Sequence, residues 1–333
     1  SSPGSRPSDR QRRPSPASLG LLLGVFVVAH ILITGIAGGL AQLVASKLLA
    51  EGHQVVGVDY RDLRTPLDPS LQKLQVHRAH YNKTIIEDIF RRQSLDAVLH
   101  LGRSGSFKES AGKRFDLNVV GSQKIMNLCV QHGVRRLVVL STFHIYGAHS
   151  SNHIPIAEDE PLRAGLQFPQ IADAIQMDNM ASTWVYRHPE VKTVVLRATN
   201  IVGPTLHNTM SEFLRLRRVP YLLGFNPMTQ FIHEDDLARA VLAAWDGNFA
   251  GIFNVCGNTV VPWRTALELA QAITFPIPSP VASAFLRAAG NFPQYLSNFF
   301  RYPCVISDRA FQKASGWSST VSAEETLWST VAE

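Results

Sequence analysis

The sequence predicts an α/β fold built on a doubly wound parallel sheet. Three observations predict it. Short β-branched runs alternate with segments of helical spacing along most of the chain. One of those runs ends in a glycine-crowded turn that opens a helix. The strand after that helix ends in an acid, placed as in dinucleotide-binding units.

The glycine turn lies within residues 30–59, HILITGIAGGLAQLVASKLLAEGHQVVGVD. Residues 30–34 read as a buried strand, and Gly35, Gly38 and Gly39 crowd the turn that follows. Residues 41–50 read as a helix with Leu43, Val44, Leu48 and Leu49 on one side, stopped at Glu51-Gly52. Residues 55–58 are the second strand, with Asp59 at its end. Each residue type has a physical role. Gly35 turns the chain tightly out of the strand. Gly38, without a Cβ, lets a pyrophosphate approach the backbone. The helix N-terminus offers N–H groups to that anion. Ala41 is the third small position, where helix and strand pack closely. Asp59 stands where an acid bonds the adenosine ribose hydroxyls. The unit is therefore read as Rossmann-type and the expected cofactor as NAD. Arg61 and Arg64 follow closely and partly offset the acid, so NADP stays possible.

Further elements are expected at 74–76 (strand), 85–92 (helix), 96–101 (strand) and 111–132 (long helix, closed by Gly133). Then come 136–141 (strand), 177–187 (helix, closed by Pro189) and 191–197 (strand). Gly203-Pro204, Pro220, Gly224 and Pro227 break the run 200–230, and strand and helix return over 231–246. The expected organisation has three parts. Residues 1–28 form an N-terminal extension. Residues 29–199 with 231–256 form the nucleotide-binding domain. Residues 200–230 with 257–333 form a smaller C-terminal cap that encloses a small-molecule substrate.

The 333 residues are 45% hydrophobic and 17% charged, a globular balance. Cys129, Cys256 and Cys304 show no metal spacing and no CxxC pair, which suits a reducing compartment. About half of the net charge of +6 comes from Arg6, Arg10, Arg12 and Arg13 in the Ser/Pro-rich start, so nucleic acid is not an expected partner. Residues 19–29, LGLLLGVFVVA, follow a basic segment as in a signal peptide or anchor. That run merges into the first strand without a cleavage site. The expectation is a cytoplasmic protein with an N-terminal extension, and a membrane-tethered structural subunit is the distant alternative.

Several further motifs give the chain a resemblance to extended short-chain dehydrogenases/reductases of the NAD-dependent epimerase/dehydratase kind. They include Thr34-Gly35-x-x-Gly38-x-x-Ala41 and Val98-Leu99-His100-Leu101-Gly102. They also include Asn118-Val119-Val120-Gly121 and the stretch from Leu140 through Ser141-Thr142 to Tyr146-Gly147. Arg197 to Pro204, Phe231 to Leu237, and Ser307-Asp308 through Gly316-Trp317 complete the set. The resemblance implies cofactor contacts at Gly35, Ile36, Ala37, Gly38, Asp59, Tyr60, Leu101, Gly102 and Asn118. It also implies a substrate-binding hydroxyl at Thr142. It implies a homodimer through the helices near 111–132 and 177–188, where Val119, Met126 and Met177 suit either a partner or the sheet.

One part of the pattern fails. The family's proton chemistry rests on a Tyr with a Lys four residues later. Ile171 and Ile175 occupy those positions, and no Tyr in the chain has a Lys four residues on. His80-Tyr81 stand where the family has an acid near the adenine, and Thr229-Gln230 where nucleotide-sugar epimerases have an Arg. His144, His149, Asp173 and Asp178 lie in the neighbourhood. His144 is the candidate replacement, since it follows Thr142 by two and imidazole shuttles protons near neutrality. His144, His149 and His153 lack a supporting acid, so no metal site is expected. Arg215, Arg217 and Arg218 read as a solvated helix face or an anion contact. Two functions follow: an NAD(P)-dependent oxidoreductase or epimerase with an altered acid–base group, or a catalytically inactive dinucleotide-binding regulator or scaffold.

Overall fold

In a computed structural model, residues 28–332 are described, apart from 64–68, 106–108, 167, 280 and 282–294. The N-terminal extension therefore lies, but for Val28, outside the described residues, as does Arg64. The main sheet has seven strands. They are β1 (His30–Thr34), β2 (Gln54–Asp59), β3 (Gln75–Arg78), β4 (Ala97–His100), β5 (Arg136–Thr142), β6 (Lys192–Ala198) and β10 (Gly251–Val255). Their order is β10-β6-β5-β4-β1-β2-β3, and every neighbouring pair is parallel. From β1 the chain winds outward one way through β2 and β3. It then crosses back to β4 and continues the other way. The carboxyl ends of β1 and β4 therefore flank a switch point, where open parallel sheets bind ligands.

Alternation along the strands sends side chains to two cores. Ile31 and Ile33 face one layer with α1 (Gly39–Ala50), α6 (Glu234–Asp246) and Phe311 of α9 (Arg309–Ser315). Leu32 faces the other with α2 (Thr84–Arg92), the helix α3 (111–131) and α4 (Ala172–Arg187). Met126 and Met177 belong to this second layer and Val119 is buried, so all three serve internal packing.

A third core joins residues of 200–230 and 257–333 with Phe143, Tyr146 and Ile171. Two small sheets frame it: β7 (Asn200–Val202) and β11 (Val260–Pro262) flank β9 (Met228–His233), and β8 (Arg218–Leu222) pairs with β12 (Ile273–Ile277). Phe213 of α5 (Thr209–Leu214), Trp263 of α7 (Trp263–Leu269) and Phe300 stack face to face or tilted at centroid separations of 4.8–6.1 Å. Leu296 of α8 (Leu296–Phe299) and Leu327 of α10 (Ala323–Val331) complete it. Arg215 turns inward and donates to the carbonyls of Gly203, Pro204, Leu206 and Thr330. It is a tie within the cap, which corrects its expected surface role; Arg217 and Arg218 are exposed.

Three elements differ from the sequence reading. β10, which completes the sheet beside β6, is absent from the expected strands. The long helix α3 carries a π-helical turn at Asp116–Gly121. There the wider turn brings Asn118 inward, and Ser122 donates to the Asn118 carbonyl at 2.6 Å. Helix α4 begins at Ala172, five residues before the expected start, after a 3₁₀ turn with Pro169 at its head. Asp173 and Asp178 are buried on its inner face and interrupt the apolar period that would have marked the first turns.

Buried ionic contacts join β5, β6 and α4. Arg197 donates to Asp178 through Nε at 3.1 Å and Nη2 at 2.7 Å, and through Nη1 to the Tyr146 hydroxyl at 2.8 Å and the Glu158 carbonyl at 2.9 Å. Ser141 adds a 2.5 Å bond to Asp178. Breaking such a pair by removing one partner costs about 3–5 kcal/mol, because the other charge stays buried.

A close backbone approach lies at the switch point. Gly35 has φ +78°, and a Cβ there would lie 2.4 Å from Cα of Gly102. A Cβ on Gly102 would lie 2.0 Å from the Tyr81 hydroxyl and 2.7 Å from the Gly35 nitrogen. Gly102→Ala is therefore expected to destabilise the protein by about 2–3 kcal/mol or more through overpacking. Chemical denaturation checks this; an unchanged midpoint would show that the two turns can separate freely.

Candidate functional site

The site begins where β1 turns into α1. Gly38 precedes the helix, no side chain caps it, and no acid sits in its first turn. Its leading N–H groups and positive dipole end are left uncompensated, as an anion site requires. A Cβ on Gly57 would fall within 3.0 Å of Ile36, so a glycine in β2 makes room for the turn. Ala41 is buried on the inner side of α1. Leu101 and Gly102 lead out of β4 directly alongside. These features fit a dinucleotide pyrophosphate.

Asp59 ends β2 and is buried. Its Oδ2 accepts the Ala37 N–H at 3.0 Å, so the acid braces the glycine turn. Arg61 binds the same carboxylate through its backbone N–H, Nε and Nη2. Tyr60 stacks on His80 with centroids 5.4 Å apart, and the cationic heads of Arg61 and Lys113 each stand 5.6 Å from its ring. Burial, and next the nearby Glu109 carboxylate, raise the Tyr60 pKa, so the phenol stays protonated.

A run of buried polar bonds crosses beneath the site. Thr34 Oγ1 meets His100 Nδ1 at 2.8 Å, and His100 Nε2 meets Ser122 at 2.7 Å. Gly102 N–H donates to Thr34 Oγ1 at 3.2 Å. Burial pushes the His100 imidazole down to about 4, so it bridges two hydroxyls as a neutral ring. Asn118 accepts the Ser104 N–H at 2.8 Å and donates to the Ser104 carbonyl and to Asp173. It thereby shapes the turn after β4. Arg114 adds its guanidinium 3.8 Å from Asp173.

Thr142 and His144 come together at the end of β5. His144 Nδ1 lies 2.9 Å from Thr142 Oγ1, and the His144 backbone N–H donates to the same oxygen at 3.4 Å. Phe143, Phe299 and Tyr295 surround the imidazole at centroid distances of 4.4, 4.9 and 5.5 Å. That burial, and next the Arg103 charge, push its pKa down to about 3. His144 Nε2 and Asn200 Oδ1 are buried without a hydrogen bond among the described residues. Ile171 is buried, and Ile175 packs against the core that holds Phe143 and Tyr146. Asp178 is committed to Arg197, and Asp173 to Asn118 and Arg114. Among the described residues no group of three His, Cys, Asp or Glu is placed to hold a metal ion.

Sequence reasoning missed Tyr295 and Arg103. Tyr295 comes from the cap, and nothing in its local sequence marks it. Burial pushes its phenol up to about 12. Arg103 follows the Leu101-Gly102 turn directly, and that adjacency was the available signal.

Comparison with known proteins places this geometry. Residues 31–256 match the model of the NAD dependent epimerase/dehydratase family. The chain belongs to that family. An uncharacterised protein of Mycobacterium tuberculosis is 25% identical over 281 residues, 82% of this chain and 74% of the relative. The bifunctional UDP-glucose 4-epimerase and UDP-xylose 4-epimerase 3 of Arabidopsis thaliana is 29% identical over 301 residues, 77% of this chain and 85% of the relative. Among solved structures, the Thermus thermophilus UDP-glucose 4-epimerase in complex with NAD has a TM-score of 0.71 at 23% identity. That match covers 91% of this chain and 97% of the enzyme. The likeness shows the expected Rossmann-like α/β fold. Among the described residues no helix is long and apolar enough to cross a membrane.

The two neutral imidazoles predict a pH dependence. An unfolded histidine titrates near 6.5, whereas His100 and His144 are held at about 4 and about 3. Inside that window the unfolded chain binds more protons. Stability is complete above about pH 6.5 and falls as the pH drops toward 4, by up to about 1.4 kcal/mol per pH unit for each ring. Denaturation midpoints across that range check it, and His144→Phe should flatten the slope by about one proton. An unchanged slope would mean that His144 reaches solvent.

Proposed function

We propose that this protein binds NAD and carries out redox chemistry at a hydroxyl or carbonyl carbon of a sugar-like substrate, as an epimerase or oxidoreductase. The observation that carries the reading is the uncapped α1 N-terminus behind Gly35 and Gly38, with Asp59 bonded to the same glycine turn. The named relatives that act on UDP-sugars support a nucleotide-sugar substrate. NAD, when bound, supplies the hydride acceptor. Gly35, Ile36, Ala37 and Gly38 cradle its pyrophosphate, Asp59 and Tyr60 meet the adenosine, and Leu101, Gly102 and Asn118 line its path toward Thr142.

Thr142 holds the substrate oxygen. With the His144 proton on Nδ1, Thr142 Oγ1 receives two hydrogen bonds from His144, and its own proton points outward. That outward proton is donated as a hydrogen bond to the substrate oxygen and stabilises negative charge developing there. The His144 ring stays neutral, held so by burial.

A second reading, a catalytically inactive dinucleotide-binding regulator, draws on the apolar Ile171 and Ile175. Exposed Phe115 and Val120 on α3 and Tyr186 on α4 suit a homodimer through these helices. The three buried free thiols suit the cytoplasm.

Two measurements separate the readings. Asp59→Ala is expected to weaken NAD binding about tenfold in calorimetry. UDP-glucose, UDP-galactose and UDP-glucuronate added to the NAD-loaded protein are expected to raise the reduced-nicotinamide absorbance. Thr142→Ala and His144→Phe should each slow that signal on the order of 100-fold. Tight NAD binding with no absorbance change across the panel favours the regulator.

A further inference from the structure

The paired strands β8 and β12 present an apolar face to solvent. Val219 of β8 turns inward and is fully buried in the third core. The register sets Ile273 beside Arg218 and Phe275 beside Pro220, so these side chains share the opposite face. Ile273 and Phe275 are both exposed. Leu216 just before β8 and Leu223 just after it are each half exposed or more. Leu223 lies against β12, since its N–H donates to the Ile277 carbonyl at 3.0 Å. Apolar residues exposed singly are ordinary, but a group gathered on one two-stranded unit marks a contact surface.

The charge around this face has one sign. Residues 213–233 hold Arg215, Arg217 and Arg218 and no acid, and residues 269–281 hold no charged residue. Arg215 is spent on backbone carbonyls, whereas Arg217 and Arg218 are exposed. The Arg217 carbonyl accepts the Ile273 N–H at 2.9 Å, which sets this basic pair against the apolar strand. Such a surface complements anionic lipid: apolar side chains enter the headgroup boundary, and arginine meets phosphate. The backbone disfavours a strand of another chain as the occupant. The Ile273 N–H and the Ile277 carbonyl point to β8, so the backbone groups of Thr274 and Pro276 point to the free edge. Pro276 has no N–H, and this blunts the edge against strand addition.

We propose that the outer face of β8 and β12 rests on an anionic lipid surface, with Ile273 and Phe275 entering the headgroup boundary and Arg217 and Arg218 meeting lipid phosphates. The contact is peripheral: it spans nothing and holds the protein at the membrane by this one face. It goes beyond the redox reading above and does not depend on it.

The test is flotation of the full chain with vesicles of phosphatidylcholine alone and of phosphatidylcholine mixed equally with phosphatidylglycerol. Wild-type protein is expected to bind the mixed vesicles about tenfold more strongly. Ile273→Ser with Phe275→Ser is expected to weaken binding to the mixed vesicles about tenfold or more. Arg217→Gln with Arg218→Gln should weaken that binding about tenfold and leave binding to phosphatidylcholine unchanged. All four side chains are exposed, and an unchanged denaturation midpoint confirms that each variant is folded. The apolar run at 19–29 is present in every sample, so a loss seen in the variants belongs to the β8–β12 face. Failure of wild type to bind the mixed vesicles, or equal binding by wild type and both variants, would overturn the proposal. So would a dimer in sedimentation that Ile273→Ser with Phe275→Ser dissociates, because a second copy would then occupy the face.

Discussion

The contact on which the architecture turns is the approach of two glycines, Gly35 after β1 and Gly102 after β4. Neither position has room for a Cβ, since one on Gly35 would reach within 2.4 Å of the Gly102 backbone. That proximity lets two parallel strands wind away in opposite directions and still end side by side. It places the open N-terminus of α1, the acid closing β2 and the turn after β4 around one cleft edge. Larger side chains would push these apart and dissolve the site without altering any strand.

Beneath that crossing, the polar groups that burial makes costly are nearly all paired. His100 bridges Thr34 and Ser122, Asn118 binds Ser104 and Asp173, and Arg197 closes on Asp178. Each bond spans elements far apart in sequence, so together they set register as well as stability. His144 Nε2 and Asn200 Oδ1 break this pattern, because both are buried and unbonded among the described residues.

The aromatic rings of Tyr295 and Phe299 enclose His144, and burial keeps that imidazole uncharged. At the other end of the cleft, Arg61 saturates Asp59.

The sequence by itself determined the Rossmann-type sheet and the glycine turn with Asp59 closing the second strand. These are local: they depend on strand periodicity, on glycine where φ is positive, and on residue identity at short spacing. The pairing of Thr142 with His144 was also legible, because two residues separate them. Only the tertiary structure decided the rest. The early start of α4 was hidden by Asp173, whose partner Asn118 lies on another element. The inward turn of Arg215 depends on carbonyls as distant as Thr330. The place of Tyr295 against His144 and the saturation of Asp59 by Arg61 are facts of geometry, since charge and aromaticity in a sequence do not say which partner a side chain meets.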